Sequence, residues 1–238
     1  MPSAPKWVFD VFERLLSPDM PLLEVTENIS LSQNIRKICF KGDLKNFDFQ
    51  PGYHIDFRVS DTDVRRYTPS YYDVKNGILE FIYYLHGDAP GTRFMTNLQP
   101  GDTININQPR GHKYYDPSAE KYIIFGDETS LGLACSLLPL LKQNAHQFCF
   151  YFELDEENKD IPEKLGLQNV TVFTKGVLLK GESLIQNLPA FQEADWEDAH
   201  FVLTGNVRSV QTLRKLAKIH AKGKVHAHGY WLEGKKGL

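Results

Sequence analysis

Through the first half of the chain, apolar and polar residues alternate with a period of two. Residues 22–29 and 35–40 alternate or cluster their apolar positions, joined across Ser30-Leu31-Ser32-Gln33-Asn34. After the turn signal Gln50-Pro51-Gly52, the run Tyr53-His54-Ile55-Asp56-Phe57-Arg58-Val59 alternates cleanly. Asp61-Thr62-Asp63 marks another turn, and Arg65-Arg66-Tyr67-Thr68-Pro69-Ser70 follows it as an extended segment. Asn76-Gly77 turns tightly into residues 78–85, and Pro100-Gly101-Asp102 leads into Thr103-Ile104-Asn105-Ile106-Asn107. Six short strands at this spacing predict an antiparallel β-barrel or sandwich, taken here as a six-stranded barrel. Residues 91–98 interrupt the pattern with helical spacing. Thr92 reads as the N-cap of a small helix whose first amides are available to an anion.

In the second half the period switches back and forth. Tyr122-Ile123-Ile124-Phe125 is a short apolar strand, followed at once by Gly126-Asp127-Glu128-Thr129 and a helical run over residues 131–141. Strands over 148–154, 170–173 and 201–203 come next, the last ending in Thr204-Gly205-Asn206 before a helix over 207–219. This βαβ alternation predicts a doubly wound parallel sheet with ligands at the carboxyl ends of its strands. The fold class is therefore a two-domain α+β chain, an antiparallel six-stranded β-barrel followed by a doubly wound α/β domain suited to nucleotide contacts. Boundaries fall at 1–20 for an N-terminal helix, 21–116 for the barrel and 117–238 for the α/β domain with its basic tail. The turns at Gly126–Thr129 and Thr204–Asn206 are the candidate nucleotide contacts, although the fingerprint G-x-G-x-x-G is absent.

Composition narrows the classes. With 238 residues, 42% hydrophobic and 24% charged, the chain can bury its own cores. A net charge of −3 gives no argument for nucleic acid. Cys39, Cys135 and Cys149 have no paired spacing, which excludes an iron–sulfur cluster held by this chain's cysteines alone and suits a reducing compartment. Residues 1–20 lack a cleavable leader pattern. Trp7, Val8, Val11, Phe12, Leu15 and Leu16 read instead as an amphipathic helix packed on the protein's own surface. No run is long enough to span a membrane, so a cytoplasmic location with no stable membrane association is expected.

Candidate chemistry starts at Arg65-Arg66-Tyr67-Thr68. In an extended chain Arg65 and Tyr67 share one face and Arg66 and Thr68 the other. A guanidinium fork beside an aromatic ring suits a flavin nucleotide, and equally describes solvated arginines beside a half-buried tyrosine. His226 and His228, with His220 nearby, could suggest a metal site, but no third ligand stands at a characteristic spacing and none is assigned. From Arg208 to the C-terminus, eight basic residues face only Glu233, a segment charge of +7.

Several strings, taken in order, resemble one family. They are Arg65-Arg66-Tyr67-Thr68, Leu85-His86-Gly87-Asp88-Ala89, Gln108-Pro109-Arg110-Gly111, Gly126-Asp127-Glu128-Thr129-Ser130-Leu131, Gly205 before Asn206 and Val207, and Gly229-Tyr230-Trp231. Together they are similar to the siderophore-interacting proteins, FAD-dependent ferric siderophore reductases of the ferredoxin–NADP reductase superfamily. The resemblance implies Arg65 on the flavin diphosphate, Tyr67 against the isoalloxazine ring and Thr68 near its N5, with Tyr67 and Thr68 as the catalytic pair. Gly91 and Thr92 would hold the diphosphate, with His86 at the flavin-side strand end and Trp231 beside the cofactor. Gly126, Asp127, Glu128, Thr129 and Gly205 would border the nicotinamide.

Implied cofactors are FAD with NADH or NADPH as donor. The family also admits ferredoxin as donor. Lys235 and Lys236 are candidates for contact with an anionic ferric siderophore. The family's glycine-rich diphosphate segment is one residue shorter here, at Pro90-Gly91-Thr92, which leaves two other readings open. One is a general flavin reductase feeding a protein partner; the other is a flavin- or siderophore-binding module without turnover. Acids after the second strand of the α/β domain lean towards NADH, and Lys175 after the third could counter them.

Overall fold

The computed structural model describes residues 4–16, 20–176, 188, 192 and 194–235. The chain divides into two compact units, with the division after Lys113.

In the first unit, helix α1 (Lys6–Leu16) precedes strands β1 (Leu22–Ser30), β2 (Ile35–Gly42), β3 (Tyr53–Arg58), β4 (Val64–Tyr67), β5 (Pro69–Asp73) and β6 (Ile78–Tyr84). Helix α2 (Pro90–Asn97) and strands β7 (Thr103–Asn105) and β8 (Arg110–Gly111) complete it. The strands form two antiparallel sheets, β5-β6-β2-β1-β7 and β4-β3-β8, the barrel-like arrangement the alternation predicts, with no closed ladder joining them among the described residues. The reason sits at Thr68-Pro69. Proline has no N–H to give a ladder, so pairing with β3 ends at Tyr67, and from Pro69 the chain pairs with β6 in the other sheet. Inward residues of both sheets meet in one core containing Leu23, Ile38, Phe40, Ile55, Phe57 and Phe81. Phe57 and Phe81 meet edge to face with centroids 5.2 Å apart.

Helix α1 lies against the unit by its charged flank. Asp10 pairs with Arg58 at 2.9 Å, Lys6 pairs with Asp61, and the Arg58 guanidinium sits over the Phe9 ring. Trp7 and Val11, expected to pack inward, are exposed at 69% and 49% because Arg58 draws the opposite edge of the helix onto the sheet. The side chains of Phe12, Leu15 and Leu16 lie outside the described residues.

The second unit is a parallel sheet of β9 (Lys121–Gly126), β10 (Gln147–Leu154), β11 (Val170–Thr174), β12 (His200–Asn206) and β13 (Val225–Trp231), in the order β11-β10-β9-β12-β13. Helices α3 (Leu131–Gln143), the single turn α4 (Ile161–Lys164) and α5 (Val207–His220) connect its strands. Strands buried on both faces read as unbroken apolar runs, as β9 does. Strand β13 is an edge strand, half-buried throughout, and its Val-His-Ala-His-Gly-Tyr-Trp sequence carries no such run. Strand order reverses between β9 and β12, so the topological switch point lies at their carboxyl ends. Among the described residues no helix is long and apolar enough to cross a membrane.

Candidate functional site

The first unit gathers Arg65, Tyr67 and Gly91. Arg65 and Tyr67 stand on one face of β4, and α2 begins against them. A β-carbon added at Gly91 would lie 2.7 Å from the Tyr67 hydroxyl and 3.1 Å from Cγ of Arg65, so only glycine lets the helix start approach this closely. Tyr67 is held edge-on to Phe57, with ring centroids 5.6 Å apart. Burial pushes its hydroxyl pKa up, against the pull of Arg65, so it stays a neutral O–H. Arg65 donates to the Val64 carbonyl at 2.8 Å and lies 3.5 Å from the Asp63 carboxylate, which aims its guanidinium along the strand.

Arg66 points to the other face, where its Nε donates to Asp56 at 3.2 Å. Arg110 donates to the second oxygen of the same carboxylate. His54 stands beside this cluster; burial lowers its pKa to about 4, with Asp56 opposing and Arg66 and Arg110 reinforcing the shift. Thr68 is half-buried at the break between the two sheets.

Helix α2 starts at Pro90 with Ala89 as its N-cap, which corrects the assignment of Thr92 as N-cap; proline at the first helical position is the signal for this start. No side chain caps it. The helical ladder begins with Arg93 N–H to the Ala89 carbonyl, so the amides of Gly91 and Thr92 precede it. The far end of α2 is pinned by residues the sequence did not single out. Asn28 donates to the carbonyls of Met95 (2.8 Å) and Leu98 (2.9 Å), and the Tyr83 hydroxyl reaches Met95 as well. His86 is exposed beyond β6, tilted against Tyr84 with ring centroids 5.8 Å apart.

In the second unit the switch-point residues converge on one carboxylate. Asp127, 4% exposed, accepts from the Thr129 N–H and hydroxyl on one oxygen. Its other oxygen accepts from the Asn206 N–H and the Trp231 indole N–H, each at 2.7 Å. Gly126-Asp127-Glu128-Thr129 is therefore not an open anion cradle. Its own aspartate caps the 3₁₀ turn Glu128–Ser130 and ties it to the turn after β12. Gly205 is required by this closeness. Its φ is +103°, and an added β-carbon would sit 2.6 Å from the Asp127 carboxylate.

Glu128, 1% exposed, accepts from the Asp155 N–H at 2.7 Å and from Asn158, and pairs with Lys175 at 2.9 Å. Burial pushes its pKa up while the Asp155 amide and Lys175 hold it down. Lys175 is also 2.9 Å from Asp155 and stands 5.8 Å from the Trp231 ring centroid. Glu153, 3% exposed, accepts from the Gly176 N–H and the Ser209 hydroxyl. These partners lie far apart in sequence, and no local signal marks them. His228 hydrogen-bonds Tyr114 at 3.0 Å, and the described residues contain no group of three metal-ready side chains. Lys235 is exposed; Lys236 lies outside the described residues.

Residues 22–115 match the family model of the oxidoreductase FAD-binding domain. The whole fold matches the siderophore-interacting protein SipS from Aeromonas hydrophila with a TM-score of 0.71 at 22% identity, covering 91% of this chain and 93% of that one. The siderophore-interacting protein from Acinetobacter baumannii matches with a TM-score of 0.71 at 23% identity, covering 91% and 92%. Among curated proteins, the plasma membrane-associated coenzyme Q6 reductase of Saccharomyces cerevisiae is 27% identical over 116 residues, 46% of this chain and 37% of that relative's length. Residues 22–115 thus match an FAD-binding oxidoreductase domain, and the two-domain fold of the siderophore-interacting structures extends over nearly the whole chain.

Proposed function

We propose that this chain is an FAD-dependent reductase that takes electrons from a reduced nicotinamide nucleotide and passes them to ferric siderophores, releasing Fe(II). The observation that carries the flavin reading is the contact of Gly91 with Tyr67 and Arg65, a cradle that a single β-carbon would fill. A guanidinium, a ring and two amides ahead of a helical ladder are the groups a flavin diphosphate and its ring system need. Arg65 would pair with the diphosphate, contributing about 1.5–3 kcal/mol per charged hydrogen bond, and Tyr67 would stack on the ring for about 0.5–1.5 kcal/mol beyond area. Thr68, at the break between sheets, would direct its hydroxyl to the ring nitrogen that receives hydride. When bound, the flavin supplies the redox chemistry, accepting a hydride and passing electrons on singly, so one hydride reduces two Fe(III). Reduced iron leaves because hard oxygen ligands hold Fe(II) less tightly than Fe(III).

The ferric siderophore as substrate is supported by the two siderophore-interacting structures of the same fold and by the G-D-E-T and G-Y-W strings. Exposed Lys235, with Lys236, would attract an anionic chelate. Three free cysteines support a reducing, cytoplasmic setting.

Purified protein should be yellow, bleach anaerobically with a nicotinamide donor, and recover its colour when ferric siderophore is added, with Fe(II) appearing on a chelator. A colourless protein refutes the flavin reading. Recovery with a carrier protein but not with ferric chelates would assign the chain to electron delivery between proteins.

A further inference from the structure

We infer that the second unit selects NADH over NADPH, and that Asp155 sets this preference both by its own charge and by keeping Lys175 occupied. The inference rests on the reading above, in which a nicotinamide dinucleotide reduces the flavin.

Asp155 directly follows β10, the strand beside the first strand of the parallel sheet. At that position of a doubly wound sheet an acidic side chain meets the ribose hydroxyl that distinguishes the two coenzymes, and a cation takes the 2′-phosphate. The cation at hand is Lys175, after β11. Its ammonium is 2.9 Å from Glu128 Oε2 and 2.9 Å from Asp155 Oδ2. Glu128 is 1% exposed and has already fixed Asp155 through the 2.7 Å bond from its backbone N–H. Among the described residues, Asp127, Glu128, Glu153 and Asp155 thus stand at these strand ends with the Lys175 ammonium, which Glu128 and Asp155 hold. A 2′-phosphate would bring close to two further negative charges. To pair with Lys175 it would have to strip the counter-charge from a buried carboxylate. A ribose hydroxyl needs only an acceptor, and Asp155 is one, with its side chain 28% exposed.

The test is anaerobic stopped-flow bleaching of the flavin with NADH and with NADPH in wild type, Asp155→Asn and Glu156→Gln. Glu156 is the control: it is the next acid along and pairs with Lys159, away from Lys175. Wild type should favour NADH by on the order of 100-fold in the second-order bleaching rate, as like-charge juxtaposition dictates. Asp155→Asn should cut that ratio at least roughly tenfold, mainly by tightening NADPH, because it removes the repelling carboxylate and leaves Lys175 held by Glu128 alone. Glu156→Gln should leave the ratio unchanged. A wild type that prefers NADPH or treats both alike, an unchanged ratio in Asp155→Asn, or an equal shift in Glu156→Gln each overturns the inference and leaves the reductase reading intact. Bleaching by dithionite but by neither coenzyme overturns the nicotinamide donor itself, and this inference with it.

Discussion

Replacing Asp127 should loosen the second unit by an amount that can be worked out bond by bond. The carboxylate accepts from Thr129 N–H, Thr129 hydroxyl, Asn206 N–H and Trp231 indole, and is 4% exposed. Asparagine can keep its oxygen towards Asn206 and Trp231 and turn its amide towards Thr129. The hydroxyl there can rotate to accept, but the Thr129 N–H is left facing another donor. One unmade backbone bond and the lost charge on the others give about 3 kcal/mol. Alanine removes all four acceptor contacts and leaves a polar gap, for about 5 kcal/mol, near the upper end of single substitutions. For a unit of this size each kcal/mol moves the midpoint by about 4 °C, so Asp127→Asn should lower the second unit's transition by about 12 °C in calorimetry. Tryptophan emission separates the variants, since only Asp127→Ala deprives Trp231 of its acceptor. A cost under about 1 kcal/mol for Asp127→Ala would refute the claim that this carboxylate joins the two turns.

Two further outcomes follow from the first unit. Arg65→Ala should release the flavin on gel filtration while Arg66→Ala retains it, because Arg66 is committed to Asp56; equal loss from both would contradict the two-face reading of β4. His54, its side chain 18% exposed, takes a proton near pH 6.5 when unfolded but only near 4 when folded. Its contribution is therefore intact above pH 6.5 and lost as pH falls towards 4, by about 3 kcal/mol in total. Urea midpoints measured across that range should fall less steeply for His54→Gln than for wild type, and parallel slopes would show that another group titrates.

The elements were legible where burial is local. Two-period alternation marks β3 because only one face of it is buried, and the unbroken run of β9 marks a strand covered on both. Strand β13 escaped because an edge position tolerates His226 and His228, which leave no apolar run. Pro69 was visible as a residue, but that it sends the chain into a second sheet depends on which strands lie on either side. The G-D-E-T turn reads as a candidate nucleotide contact, and nothing nearby shows that Asp127 closes it, since its partners Asn206 and Trp231 are 79 and 104 residues away. Lys175 was ambiguous for the same reason, since its neutralisation depends on Glu128 across the sheet.

Helix α2 is gripped by its tail. Asn28 and Tyr83 hold the carbonyls of Met95 and Leu98, while the first turn carries no side-chain cap. The anchorage thus lies at the opposite end of an eight-residue rod about 12 Å long from the amides proposed to meet the flavin diphosphate. If the proposed diphosphate contact holds, substitution at Pro90–Arg93 should retune it without disturbing the mounting of the rod. A change at Asn28 does the reverse: it loosens the mounting, so that all the amides of the distant end should shift together.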